Sequence, residues 1–217
     1  MKLKYTLLSL VTLALMWNCK NPEELGERKI VTEDIRYEAQ LSALNSHITG
    51  LETSGKAEFL LSNDTLYVTI EVENAPPNIQ HWQNFHGTPA ADDTRCPTME
   101  DDKNKDGIID MFEVGPASGR MMVPFNANPA LMNIGDYTYP TADENGYYKY
   151  EKAIPMENLA NNFANSFGGY DIHLDKDAIY IHGVPEDTDL PTSVKSISGV
   201  PNYLTLPIAC GKIKRID

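Results

Sequence analysis

Twelve consecutive residues, Asp102 to Glu113 (DKNKDGIIDMFE), carry the donor spacing of an EF-hand-type calcium loop. Oxygen-bearing side chains fall at the first, third, fifth and ninth positions as Asp102, Asn104, Asp106 and Asp110. Gly107 stands sixth, where the chain must turn sharply. The carbonyl of Ile108 is the backbone ligand, and Glu113 closes the loop as a bidentate carboxylate. Lys103 and Lys105 take even positions, which point outward, so their charge stays off the site. A hard cation wants about six or seven oxygens at roughly 2.3–2.6 Å, and this spacing supplies them. These residues lead us to expect calcium as a bound cofactor.

The flanks limit what such a loop does. A sensor loop needs an amphipathic helix on each side to open on binding. Cys96 and Pro97 leave room for about one turn upstream, and Gly115 and Pro116 are expected to stop a helix almost at once downstream. No second loop of this kind occurs in the sequence. The reading is a structural clip, like the isolated loops of extracellular modules that bind calcium at about 10⁻⁴–10⁻³ M.

The start of the chain reads as an export leader. Lys2 and Lys4 precede an apolar run from Leu7 to Trp17 that ends just before Cys19. Spanning a bilayer takes about 20 apolar residues, more than this run provides. The run, its cysteine and the polar KNPEELGE that follows resemble a bacterial lipoprotein precursor. The resemblance implies a signal peptide over 1–18, lipidation of Cys19, a polar tether over 19–30, and display on the bacterial cell envelope.

The remainder, 31–217, reads as a single domain. The chain carries a formal charge of −13, and losing Lys2 and Lys4 with the leader takes it to −15. That excludes the basic patches nucleic acid requires. It also gives no attraction to anionic lipid, so membrane attachment would rest on the acyl chains alone. With Cys19 set aside, Cys96 and Cys210 are an even pair, read in an oxidising compartment as a disulfide.

The elements that must carry these groups are mainly β. TLYVTIEVEN, from Thr65, alternates cleanly, with Leu66, Val68, Ile70 and Val72 on one face. Asn63 and Asp64 mark a turn back to KAEFLL, and YEAQLSA (Tyr37 to Ala43) alternates too. Asn145-Gly146, between TYPTADE and YYKYEKAI, predicts a hairpin. Apolar strands are expected at Ala178 to His182 and Leu204 to Ile213. One helix is expected from about Pro155 to Phe167, with Met156, Leu159, Phe163 and Phe167 on one face and Gly168-Gly169 ending it. Short strands around a long acidic loop predict a β-sandwich or barrel with one inserted helix.

Four segments then occur in order: QHWQNFHG (Gln80 to Gly87), CPT (Cys96 to Thr98), AIYIHG (Ala178 to Gly183) and LPIACGKI (Leu206 to Ile213). The series resembles the Cu/Zn superoxide dismutase-like fold and the related CHRD-type domains of bacterial lipoproteins. That resemblance implies a Greek-key sandwich or barrel, pairing of Cys96 with Cys210, and calcium replacing zinc as the organiser of the loop. It also implies a copper-type ligand set drawn from His86 and His182, with His81 added if its strand bulges. The departures bear on activity. Asn84 stands at one copper-binding histidine, no histidine lies between Cys96 and Glu113, and Pro207 replaces the family's arginine.

Three functions are therefore weighed. The first is a calcium-binding, envelope-anchored binding or interaction module without catalysis. The second is a dismutase-type redox enzyme, and the third a periplasmic copper-handling protein. His173 beside Asp171, Asp175 and Asp177 reads as a solvated turn, and His47 has no partner visible in sequence. The tyrosines Tyr137, Tyr139, Tyr147, Tyr148 and Tyr150 read as cross-strand packing or as a glycan or protein contact face.

Overall fold

A computed structural model describes residues 34–216. The leader, the tether and Cys19 lie outside the described residues. The first three strands, β1 (Ile35–Ala43), β2 (Ser54–Ser62) and β3 (Thr65–Glu73), form a meander, with the four-residue α1 (Ser46–Thr49) between the first two. The β2–β3 hairpin turns on Asn63 and Asp64 at φ 46° and 57°, the left-handed pair that matches strand twist in a two-residue turn. The register runs from Ser62↔Thr65 to Ser54↔Glu73. It turns Leu66, Val68, Ile70 and Val72 inward, all at 1% exposure or less.

Then come β4 (Trp82–Gly87), α2 (Met111–Ser118), β5 (Arg120–Pro124), β6 (Tyr148–Pro155) and α3 (Met156–Ser166). The chain finishes with β7 (Ala178–His182), α4 (Asn202–Thr205), β8 (Pro207–Lys212) and β9 (Lys214–Arg215). The strands form one antiparallel sheet in the order β5-β4-β7-β8-β1-β2-β3-β6, curled into a half-barrel, with β9 added on β1. Its concave face holds the core: Phe59, Phe85, Phe125, Ile179, Ile181 and Ile208 meet Leu159 and Phe163 of α3 there. No helix among the described residues is long and apolar enough to cross a membrane.

Because side chains alternate along a strand, the other face of β4 and β7 carries Trp82, Asn84, His86, Tyr180 and His182. An open sheet would leave these in water. Instead they are all 0% exposed, because the acidic loop, α2 and the crossover 183–206 cover them. Val114 of α2 packs with Tyr180 and Ile109, while Ile197, Val200 and Leu204 of the crossover pack around Trp82.

Three elements differ from the sequence expectation. Helix α2 runs through Gly115 and Pro116 to Gly119, whose φ of 73° ends it. A capping box of Asp110 and Glu113 starts it, and burial of Val114, Ala117 and Ser118 outweighs the proline. Asn145-Gly146 does turn the chain, with Asp143 N–H on Tyr147 O at 2.8 Å, but β6 pairs with β3 rather than with TYPTADE. The last apolar run starts as the helical turn α4 and becomes strand only at Pro207. Of the tyrosines, Tyr139 stacks on Trp82, Tyr148 on His81, and Tyr150 packs on Phe125. Tyr137 and Tyr147 stay exposed.

Candidate functional site

The acidic loop is held in shape by its own acceptors. Asp102 receives the Gly107 N–H at 2.9 Å through Oδ2 and the Lys105 N–H at 2.7 Å through Oδ1. Asn104 Oδ1 receives the Asp106 N–H at 2.8 Å, and Asp106 Oδ1 the Ile108 N–H at 2.9 Å. These bonds hold the first, third and fifth side chains against the loop's own backbone and leave each oxygen a second lone pair. Lys105 and Gly107 sit at φ 61° and 84°, which makes the tight turn. Burial raises the Asp106 carboxyl, but hydrogen bonds from Ser193, the Ile108 N–H and Asn104 outweigh it and hold the group below its ordinary range.

Glu113 reaches back across the loop. Its Oε1 accepts the Lys103 and Asn104 N–H groups at 2.8 and 3.2 Å, and its Oε2 the Asp110 N–H at 3.1 Å. Ligating an ion with both oxygens would trade some of these bonds, which favours modest affinity. Asp110 ties the end of the loop to its neighbours. Its Oδ1 caps α2 through Phe112 and Glu113 at 2.8 and 3.2 Å, and its Oδ2 accepts the Lys195 N–H at 2.7 Å.

Two anchors hold the loop on the sheet. Asn45, buried at φ 52°, accepts the Ile109 N–H at 2.9 Å and donates to the Ile109 and Pro207 carbonyls, each at 2.9 Å. Its amide thus gives the loop's eighth residue both bonds that a neighbouring strand would make. Upstream, Cys96 and Cys210 are disulfide-bonded with Cα atoms 5.8 Å apart, tying the segment before the loop to β8. Arg95 grips Asp101 through two bonds of 2.7 and 2.8 Å and pulls its carboxyl down to about 2. The Ser118 hydroxyl joins the Arg95 carbonyl to the Tyr180 hydroxyl, fastening the end of α2.

Beneath this cover lie His86 and His182, with ring centroids 5.6 Å apart. His182 Nδ1 bonds the Thr205 carbonyl at 2.9 Å, which makes it the N–H and leaves Nε2 as the lone pair. Nε2 of His182, both nitrogens of His86, both amide atoms of Asn84 and Trp82 Nε1 are buried without a hydrogen-bond partner. The Gly119 backbone approaches His86 without completing a bond. Burial pushes His182 down to about 4 and His86 well below its ordinary value, so both are neutral and available as ligands. An ion about 2 Å from one nitrogen of each ring would put the centroids within about 6.3 Å, and this pair meets that limit.

His81 belongs elsewhere. Its Nε2 faces Pro76 O at 2.8 Å and its Nδ1 faces His182 O at 3.1 Å, so neither nitrogen is open to an ion. The structure brings together His86, His182 and Asn84 and separates His81 from them. Among the described residues, no three or more His, Cys, Asp or Glu side chains gather as for a metal ion. Both clusters therefore depend on neutral donors as well: Asn104 and the Ile108 carbonyl in the loop, Asn84 beside the imidazoles.

No known protein family matches this chain, and no curated protein matches it. The residues missed from sequence are Asn45, Ser193 and the Lys195 N–H, none of which carries a local signal. Pairing each with the loop takes contacts spanning 64 and 85 positions in the Asn45 and Lys195 cases.

Proposed function

We propose that this protein is a calcium-binding β-domain, held on the bacterial envelope through a lipidated Cys19, that serves as a binding or interaction module and not as an enzyme. The observation that carries this is the loop at Asp102–Glu113, whose first, third and fifth side chains already organise its backbone as a calcium site requires. Held by Asn45 and the disulfide, the loop and α2 form the lid over the convex face of β4 and β7. Calcium would act as an organiser of that lid. The finer fold in this reading is a Greek-key, superoxide dismutase-like β-domain of the CHRD type. The link from Cys96 to the ACG segment of β8, with His182 on the adjacent strand, supports it.

Excess chelator should lower the melting temperature. A native-state ligand at a hundredfold excess over its Kd stabilises by about 2.7 kcal/mol. Asp106→Ala should abolish the difference. Superimposable melting curves with calcium and with chelator would sink the reading.

A second reading rests on the orphaned nitrogens of His86 and His182. Two neutral imidazoles with Asn84 alongside suit copper, which would leave the protein a copper handler rather than a dismutase. Stoichiometric copper in the purified protein, lost in His182→Ala, would favour it over the calcium module.

A further inference from the structure

Among the described residues, every buried side-chain nitrogen or oxygen without a partner lies on the convex face of β4 and β7: on Trp82, Asn84, His86 and His182. Two imidazoles alone do not complete a metal site. Their spacing shows what is left over. With about 2 Å from ion to nitrogen and about 1.15 Å more to the ring centroid, the 5.6 Å separation sets an angle of roughly 125° at a shared ion. That is close to trigonal, and it leaves one position open. The strand register brings a thioether to the same face. Met121 of β5 is paired directly with His86, so both side chains leave the sheet on one side. Trp82 is paired with His182, and Met121 shares a buried cluster with Trp82 and Tyr139. Starting opposite His86 and ending among the groups around Trp82, the Met121 side chain extends along the face toward Asn84. Its neighbour Met122 faces the other way, into the main core. On its outer side Met121 lines a hollow of about 370 Å³ together with Met111 and Ile197, which gives the cluster a route to solvent past two thioethers.

We propose that the Met121 thioether is the third ligand, with His86 and His182, of a site for Cu(I). Thioether sulfur is a soft donor of the kind that takes Cu(I), and imidazole suits copper as well. All three ligands are neutral. A monovalent ion among them buries one charge, whereas a divalent ion would bury a second without a carboxylate to balance it. The inference rests on the copper reading of the two histidines and adds to it a ligand and an oxidation state.

The test is anaerobic titration of the purified protein with Cu(I) in competition with a chromophoric Cu(I) chelator, paired with X-ray absorption at the copper edge of the loaded protein. One Cu(I) per chain should bind, with a sulfur neighbour at about 2.3 Å. Met121→Leu, close in volume and so kind to the packing, should weaken Cu(I) binding roughly tenfold or more and remove the sulfur signal. Met122→Leu, on the opposite face, should change neither. Only nitrogen and oxygen neighbours at the copper, an affinity that Met121→Leu leaves unchanged, or uptake of copper solely as Cu(II) would overturn the inference while the copper reading stands. If the unmodified protein takes up copper in neither state, or if His182→Ala binds it as well, both fall.

Discussion

Replacing Asn45 with alanine tests whether the loop is docked as described. The amide makes three bonds of 2.9 Å, one from the Ile109 N–H and two to the Ile109 and Pro207 carbonyls. Ile109 is 1% exposed, so water does not reach its backbone readily. Each buried group left unpaired costs about 1–3 kcal/mol. A relaxing site recovers part of the sum, which puts the expected loss at about 3–5 kcal/mol. For a domain of this size 1 kcal/mol corresponds to roughly 2–4 °C, so the melting temperature should fall by about 6–20 °C. Asn45→Asp should be as damaging, since it sets a carboxylate against two carbonyls. Calcium affinity should weaken in both variants, because the eighth residue loses its support. A thermal melt in saturating calcium decides the matter. A fall under about 2 °C for alanine, or an aspartate variant as stable as the original, would refute the docking role.

Other consequences can be checked more briefly. A non-reduced digest should yield the cross-linked Cys96–Cys210 peptide, and removing the bond should cost up to about 4–5 kcal/mol for a separation of 114 residues. Stability should pass through a maximum near pH 6–7. Buried His86 and His182 have lowered values, so the unfolded chain takes up more protons below about 6.5 and stability falls with acidification. Asp177, pushed up to about 8 chiefly by burial, stays neutral while its unfolded form ionises, so stability also falls between about 4 and 8 as pH rises. Each unbalanced proton contributes about 1.4 kcal/mol per pH unit, and Asp177→Asn should flatten the alkaline limb in a pH series of urea melts. Copper-loaded protein should consume superoxide far below the diffusional ceiling of about 10⁸–10⁹ M⁻¹s⁻¹. Asn84 and Pro207 replace two groups of the dismutase pattern, and the acidic body repels the anion. Activity near that ceiling, abolished by His182→Ala, would overturn the non-catalytic reading.

The strands were legible because burial on one face writes itself as alternation. Leu66 to Val72, the Asn63-Asp64 turn and the Met156–Phe167 stripe all matched their elements. The disulfide was legible as the even pair left once Cys19 is set aside in a chain read as exported. What stayed hidden depends on tertiary contact. Pro116 ends no helix, because the Asp110 cap and the burial of Val114 are decided by the sheet beneath. Asp110 reads as a loop residue in the pattern, and its bond from the Lys195 N–H, 85 positions away, has no local signal. Parity held a usable clue about the histidines. His86 and Asn84 are two apart and share a face, whereas His81, an odd number of residues from His86, does not.

Calcium occupancy of the loop is the central claim, and equilibrium dialysis followed by elemental analysis measures it directly. The purified protein, dialysed against millimolar free calcium, should retain one calcium ion per chain, and Glu113→Gln should retain none. Retention of no calcium by the unmodified protein, or equal retention by Glu113→Gln, would contradict the account.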